Sequence, residues 1–540
     1  MSSLEYEYII VGGGTAGCVL ASRLSHAGHR VAVFEAGPEN YADQIMSPTG
    51  GPLLHATEWE YQWKSVKQAH LGNRELANYG GKILSGSSAI NYGLWARGHS
   101  VDFDQWARLV GDERWSYSNL LNYFKKSETF HDRGAAASVD QHGYEGPISN
   151  FSGLRKYPLK EKTLEAVKQS GIEHNLDGND GNPLGVAPFT DNVKNALRQP
   201  AGLAYDLSKA DVFTNAIVAR IDIDQQSKSA TGITLDDNRS FKAKEVLVCA
   251  GAIKTPQLLM LSGIGPKEHL ESIGITSVVD LPVGQNFHDH ISGSMFWKLR
   301  NPDQGLAMGS PNFNDPSFRT GMPFDWIVTI ALPDEVLSPA AIADGTSLSA
   351  AYGSGPRGHV EILMPYAPIA SAGTPYRIPP DGTHVATPVV ILLPTSRGSI
   401  TLASTNVTDD PILDPNYLAT EIDRTIMREG FRAAIRIMET PAALTYVEHE
   451  TPPPGYPRLT SSCTDEEIDA RLAHVGASMF QNAGTASMGT VVDADCKVKG
   501  VNGLRVCDAS IIPVSIASHY QAAIYGIAEA IADIIQGKNN

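Results

Sequence analysis

The stretch Tyr8-Ile9-Ile10-Val11-Gly12-Gly13-Gly14-Thr15-Ala16-Gly17 decides how this chain folds. Four apolar residues in a row read as a strand buried on both faces, and the run that follows, to about Ala27, has helical spacing. Val31-Ala32-Val33-Phe34 reads as a second strand, ending on the acid Glu35. Strand, Gly-x-Gly-x-x-Gly, helix, strand and acid, in that order, make a βαβ unit that binds a dinucleotide. Gly12 allows the tight turn, Gly14 lets backbone approach a pyrophosphate, Gly17 lets the helix pack closely, and the helix N-terminus offers unpaired N–H groups to phosphate. Glu35 is placed to accept the ribose hydroxyls. Its charge repels a 2′-phosphate and disfavours NADP, and the motif leaves FAD and NAD open.

Outward from that unit, composition bounds the rest. The chain has 540 residues, 43 Lys+Arg against 59 Asp+Glu, a net charge of -16 and 42% hydrophobic residues. These values belong to a soluble globular protein and exclude disorder, collagen and coiled coil. The length exceeds what one core serves, so two domains are expected. An acidic balance argues against nucleic acid or an anionic membrane as partner and leaves a small-molecule substrate. The uncharged run Ala509 to Ala528 is interrupted by Pro513, His519 and Gln521, so it reads as buried core beside a site and not as a membrane span. The short acidic stretch Met1 to Glu7 has no signal-peptide pattern, which points to a cytoplasmic location, with secretion open if a leader was trimmed. Five scattered cysteines without Cys-x-x-Cys or Cys/His spacing predict neither a metal site nor a disulfide framework.

Three further stretches carry strand-to-turn signals. Gly80-Gly81-Lys82-Ile83-Leu84-Ser85-Gly86-Ser87-Ser88-Ala89-Ile90-Asn91 is a small-residue segment that can lie flat against a ring. Glu245 to Cys249 reads as a strand, followed by a tight turn, a short helix and a stop at Ser262-Gly263-Ile264-Gly265. Gly503 to Ser510 is again strand into turn, leading to His519-Tyr520-Gln521 and a last helix of about Ala522 to Gln536. Between the anchors, Asn301 to Gly382 is rich in Pro, Gly, Ala and Ser and reads as loops of a second domain. Val389 to Leu393 and Ser399 to Leu402 read as strands and Glu421 to Met438 as a helix, so that domain is a sheet backed by helices.

In this order the segments resemble the glucose-methanol-choline (GMC) family of FAD-dependent oxidoreductases over nearly the whole chain. Gly251-Ala252-x-x-Thr255-Pro256-x-Leu258-Leu259-x-x-Ser262-Gly263-Ile264-Gly265 is similar to the family's second signature at every defined position. The first signature is met by Gly81-Lys82-x-Leu84 and Gly86-Ser87-Ser88-x-Ile90-Asn91, with Ser85 where a second glycine is usual. Arg97-Gly98, Asp104-x-Trp106, Leu281 to Asn286 with Asp289-His290, Ser396-Arg397-Gly398 and Asp414 to Tyr417 also match. The resemblance implies an α/β fold: a doubly wound, Rossmann-like FAD-binding domain of residues 1–155, 200–292 and 478–540, and an α+β substrate domain of 156–199 and 293–477 on an antiparallel sheet. It assigns to the cofactor Gly12, Gly14, Thr15, Ala16, Gly17, Glu35, Ala36, Trp59, Ser87, Asn91, Leu94, Val218, Ala250, Asp508, Ala509, Tyr520 and Gln521. Ile90 stands where some members carry a flavin-linked histidine, so FAD is expected without a covalent bond.

Members of the family oxidise an alcohol: a base takes the hydroxyl proton and the adjacent carbon gives hydride to flavin N5, with oxygen or another acceptor taking the electrons. The resemblance places two catalytic groups at Gln481, in Gln481-Asn482-Ala483-Gly484-Thr485 where His-Pro-x-Gly-Thr is usual, and at His519. A glutamine orients a substrate oxygen but takes no proton, which leaves His519 as the only obvious base. The positive end of the last helix would keep its ring neutral. The expected reaction is oxidation of a primary, aromatic or benzylic-type alcohol to the aldehyde. The alternative is a non-redox FAD-binding lyase or a specialised biosynthetic enzyme, because the family includes a lyase branch. His288, His290 and His474 read as structural.

Overall fold

The opening βαβ unit forms as its sequence dictates. In this computed structural model, which describes residues 5–131, 138–152 and 155–538, strand Tyr6–Val11 leads through Gly12 to Gly14 into helix Thr15–His26 and back to strand Val31–Phe34. Residues 1–4 of the N-terminal stretch read above lie outside the described residues. Strand Tyr6–Val11 pairs in parallel with Val31–Phe34 on one side and Ser240–Val248 on the other. Asp211–Phe213 and Leu504–Val506 extend the parallel set, and Ser229–Leu235 and Val218–Asp224 close the edge antiparallel. The segments read separately at Glu245 and Gly503 are therefore neighbours. Their strands all end on one edge, where doubly wound sheets bind ligands.

The last helix, Gln521–Ile535, packs against helix Thr15–His26 and against helix Tyr117–Ser127. The last helix is apolar on nearly all faces because it is enclosed on all of them. Its single buried charge, Glu529, ties these elements together. The carboxylate accepts from Arg23 Nε (2.9 Å) and from the Tyr205 hydroxyl (3.0 Å), and pairs with Lys126 (3.1 Å).

A second sheet runs Val447–Glu450, Ile291–Leu299, His384–Ile391, Val360–Leu363, Trp326–Ile330 and Gly185–Pro188, antiparallel throughout. Helix Glu421–Met438 backs it, as read from sequence, and starts where expected because Asp344 accepts from the backbone N–H of Glu421 (2.7 Å) and Ile422 (2.9 Å). The helix approaches the sheet at Gly430, where an added Cβ would stand 2.6 Å from the Val389 side chain. The expectation of loops over Asn301 to Gly382 is corrected here. That segment holds strands Trp326–Ile330 and Val360–Leu363 and helices Asp334–Ala343 and Leu348–Tyr352. Both strands are short and almost wholly buried, so they show no alternation, and prolines and glycines between them mask the pattern.

Among the described residues no helix is long and apolar enough to cross a membrane, no cluster of metal-ligating side chains forms, and all five cysteines are buried free thiols. Replacing Glu529 with Ala is expected to lower the unfolding free energy by about 2 kcal/mol, since three donors lose a common acceptor while Arg23 and Lys126 still reach solvent. Chemical denaturation of both proteins checks this.

Candidate active site

The two glycine-rich segments meet at the sheet edge. Gly12 has φ +100°, and a Cβ there would stand 2.4 Å from the Cys249 carbonyl oxygen. Gly86 has φ +54° and would place a Cβ 2.8 Å from the Cα of Gly14, so backbone lies directly on backbone. Ser85, the departure from the family pattern, is itself in the left-handed region at φ +89°, which is why glycine suits that position. Its hydroxyl is held by the Gly202 N–H (2.8 Å) and the Tyr41 hydroxyl (2.9 Å).

Beside this contact opens a cavity of about 640 Å³, reaching from the first strand's end to the second sheet. Every residue assigned to the cofactor lines it except Gly17 and Trp59, and both His519 and Gln481 line it too. Gly17 instead serves close packing, since a Cβ there would strike the Gly12 carbonyl oxygen at 2.0 Å. Trp59 lies in a small apolar cluster with Ile45, Leu54, Ile83, Ala89 and Ile90.

Glu35 is buried, and its oxygens accept from the backbone N–H of Gly13 (2.9 Å) and Gly37 (2.8 Å). Burial pushes its carboxyl up to about 7 against these favourable bonds. Asp508, also raised by burial, accepts from the Gly251 N–H (2.8 Å), the Thr255 hydroxyl (2.5 Å) and the Ser510 N–H (2.8 Å), joining two strand ends.

Gln481 sits on a loop anchored by Asp289. That carboxylate accepts from the Gln481 N–H (2.6 Å), the Ser478 hydroxyl (2.5 Å) and the Tyr417 hydroxyl (2.5 Å), and burial raises it to about 6. The Gln481 side-chain oxygen accepts from the Tyr520 N–H at 2.9 Å. A backbone N–H can only donate, so the amide's NH₂ is turned away from Tyr520. Its Nε2 donates to the Met479 carbonyl oxygen at 3.4 Å, and the second hydrogen of the group remains a donor for the cavity.

His519 adjoins Tyr520 and is 14% exposed; its Nε2 lies 2.7 Å from Oε1 of Glu361, a residue 2% exposed on strand Val360–Leu363 of the second sheet. Beside the helix end read from sequence, a carboxylate from the other sheet also holds this ring. An ionised carboxylate only accepts, so Nε2 carries hydrogen and Nδ1 is the nitrogen left for a reacting group. Sequence reasoning missed Glu361. The available signal was one acid inside the apolar run Val360-Glu361-Ile362-Leu363, a position that demands a partner.

A second imidazole, His55, also lines the cavity. His55 has Nδ1 3.1 Å from Glu60 Oε1 and Nε2 2.9 Å from the Tyr92 hydroxyl, so both its nitrogens are already used. His290 is fully buried, lies 3.3 Å from the Tyr520 hydroxyl and is pushed far down by burial, as a structural histidine should be. His288 is buried and lowered to about 3.

The family models for the N- and C-terminal parts of GMC oxidoreductases match residues 6–292 and 394–528. The chain belongs to the GMC oxidoreductases, a family of FAD flavoproteins. The GMC-type oxidoreductase acuG of Aspergillus aculeatus is 55% identical over 534 residues, 99% of either chain. Among solved structures, a pyridoxine 4-oxidase from Mesorbium loti is similar at 26% identity and TM-score 0.86, covering 99% of this chain and all of that one. A formate oxidase of Aspergillus oryzae, studied for its FAD modification, is similar at 27% identity and TM-score 0.88, covering all of this chain and 99% of that one.

The cavity of this GMC oxidoreductase fits the cofactor of its family. A Cβ on Gly14 would meet no heavy atom closer than 3.9 Å, leaving the backbone bare where a pyrophosphate needs to approach. Both polar atoms of the Gln521 side chain are buried without a partner although the residue lines the cavity, which marks a ligand's polar edge.

FAD affinity should depend on pH through Glu35. Ribose hydroxyls favour the ionised carboxylate, so the Kd of the apoprotein for FAD is expected to tighten as pH rises through about 7 and to level above it. In Glu35→Gln the binding weakens by about tenfold or more and the pH dependence disappears. Quenching of FAD fluorescence on titration measures both.

Proposed function

We propose that this GMC oxidoreductase oxidises a primary alcohol carried on an aromatic or similarly flat apolar group, releasing the aldehyde. The observation that carries the reading is the His519–Glu361 pair at the cavity wall, with the Gln481 amide donor held beside it. Bound FAD supplies the hydride acceptor. His519 takes the hydroxyl proton at Nδ1, and Glu361 holds the ring by Nε2 and stabilises the imidazolium that forms. Gln481 donates an N–H to the substrate oxygen and keeps it in line with His519. Phe189 and Phe324, stacked at 4.8 Å, with Leu363, Ile369 and Met479, supply an apolar wall and exclude water from the reacting centre. The cofactor is held without a covalent bond to position 90, because the Ile90 side chain is a hydrocarbon with no nucleophile.

The test is anaerobic mixing of the FAD-loaded protein with benzylic and aliphatic primary alcohols, following the visible flavin band. Bleaching by benzylic alcohols supports the proposal. If no alcohol bleaches the band while a cleavable adduct yields aldehyde, the non-redox lyase reading replaces it.

His519→Ala is expected to slow bleaching by about 10²–10⁴ with FAD still bound. Glu361→Ala should also slow it, and Glu361→Gln should slow it less, since the amide oxygen still accepts from Nε2. Equal rates in wild type and His519→Ala would remove the base from this scheme.

A further inference from the structure

We propose that the chain of contacts Glu60–His55–Tyr92 is a second recognition point, fitted to a hydroxyl that the substrate carries away from its reacting carbinol. This rests on the alcohol-oxidising reading above and adds a specificity-determining group to it. All three residues line the cavity. Tyr92 directly follows Asn91, on the wall assigned to the cofactor, and His55 lies 5.5 Å from the Phe480 ring, next to Gln481 in sequence.

The direction of the hydrogen bonds follows from the end of the chain. Glu60 is buried, and its Oε2 already accepts from the Ala56 N–H at 2.9 Å. A carboxylate oxygen only accepts, so Glu60 accepts a hydrogen bond from His55 Nδ1–H, and the unprotonated Nε2 accepts from the Tyr92 hydroxyl. With its hydrogen spent on His55, the Tyr92 oxygen keeps lone pairs that only a donor can satisfy. Burial raises the phenol, so it stays protonated and does not become a charged anchor. Around this point the cavity is otherwise aromatic: Tyr79 stacks on His55 at 5.1 Å and contacts Phe480 at 5.3 Å. A polar acceptor in an apolar, aromatic surround discriminates for a ring hydroxyl far better than the surround itself discriminates by size.

The experiment uses FAD-loaded protein and the three hydroxybenzyl alcohols, each against the fluorobenzyl alcohol of the same substitution position, which matches in size but lacks the donor. The rate of anaerobic flavin reduction against substrate concentration gives a limiting reduction rate and an apparent Kd. For at least one position the hydroxyl compound is expected to exceed its fluoro counterpart about tenfold in limiting rate divided by apparent Kd, mainly through Kd. In Tyr92→Phe that ratio should fall towards one, and in His55→Ala it should fall as well. The double ratio between wild type and variant cancels the electronic effect of the substituent on hydride loss. If benzylic alcohols bleach the flavin but the ratio is near one at every position, or is unchanged in Tyr92→Phe, the inference fails while the proposed reaction stands. If no alcohol bleaches it, the proposed reaction fails, and binding of hydroxybenzaldehydes against fluorobenzaldehydes, read from the perturbed flavin spectrum, decides the recognition point: a tenfold Kd difference lost in Tyr92→Phe upholds it, and equal Kd values overturn it.

Discussion

One hydrogen bond, from the Tyr520 N–H to the Gln481 side-chain oxygen, fixes what the reacting corner of this cavity can offer. The N–H just ahead of the last helix has no partner inside that helix, so something outside must accept from it. Gln481 does so and is thereby oriented, its NH₂ directed away. The same bond joins two loops that start from different places: one pinned by Asp289 beside the antiparallel sheet, the other running from the parallel sheet's last strand. His519 stands next to the junction, so a shift of either loop moves both of these cavity-lining groups.

Two carboxylate-held imidazoles line one cavity, and they differ in what the second ring nitrogen meets. His519 is held by Glu361 at Nε2 and His55 by Glu60 at Nδ1. The remaining nitrogen of His55 is taken by Tyr92, whereas that of His519 meets no protein partner among the described residues. The first pair is thus suited to moving a proton and the second to fixing the orientation of a phenol. Buried carboxylates elsewhere around the site, Glu35, Asp289 and Asp508, spend their oxygens on backbone and hydroxyl donors. Their cost of burial is offset by those bonds, and the loops they hold become rigid.

The nucleotide half was legible because its demands are local. A strand buried on both faces must be apolar throughout, a turn at φ +100° needs glycine, and an acid ending the second strand stands next to that turn. Helix Glu421–Met438 was legible for the same reason, its apolar residues recurring at helical spacing. The substrate half was not. Strands Trp326–Ile330 and Val360–Leu363 are short, pair only with each other and with strands far along the chain, and stand among prolines and glycines that read as loop. His55, in Pro52-Leu53-Leu54-His55, carries no motif at all, and its meaning comes from Glu60 and Tyr92.

The sequence by itself determined the dinucleotide-binding architecture, the flavin family, the replacement of a usual histidine by Gln481 and the position of His519. Only the tertiary structure decided which way Gln481 faces, that Glu361 reaches His519 from the other sheet, and that a second histidine shares the cavity. The division has one physical reason. Backbone conformation and burial period act over a few residues and leave their mark in the chain, while a hydrogen bond between side chains 158 positions apart requires only that the fold bring their atoms within 2.7 Å.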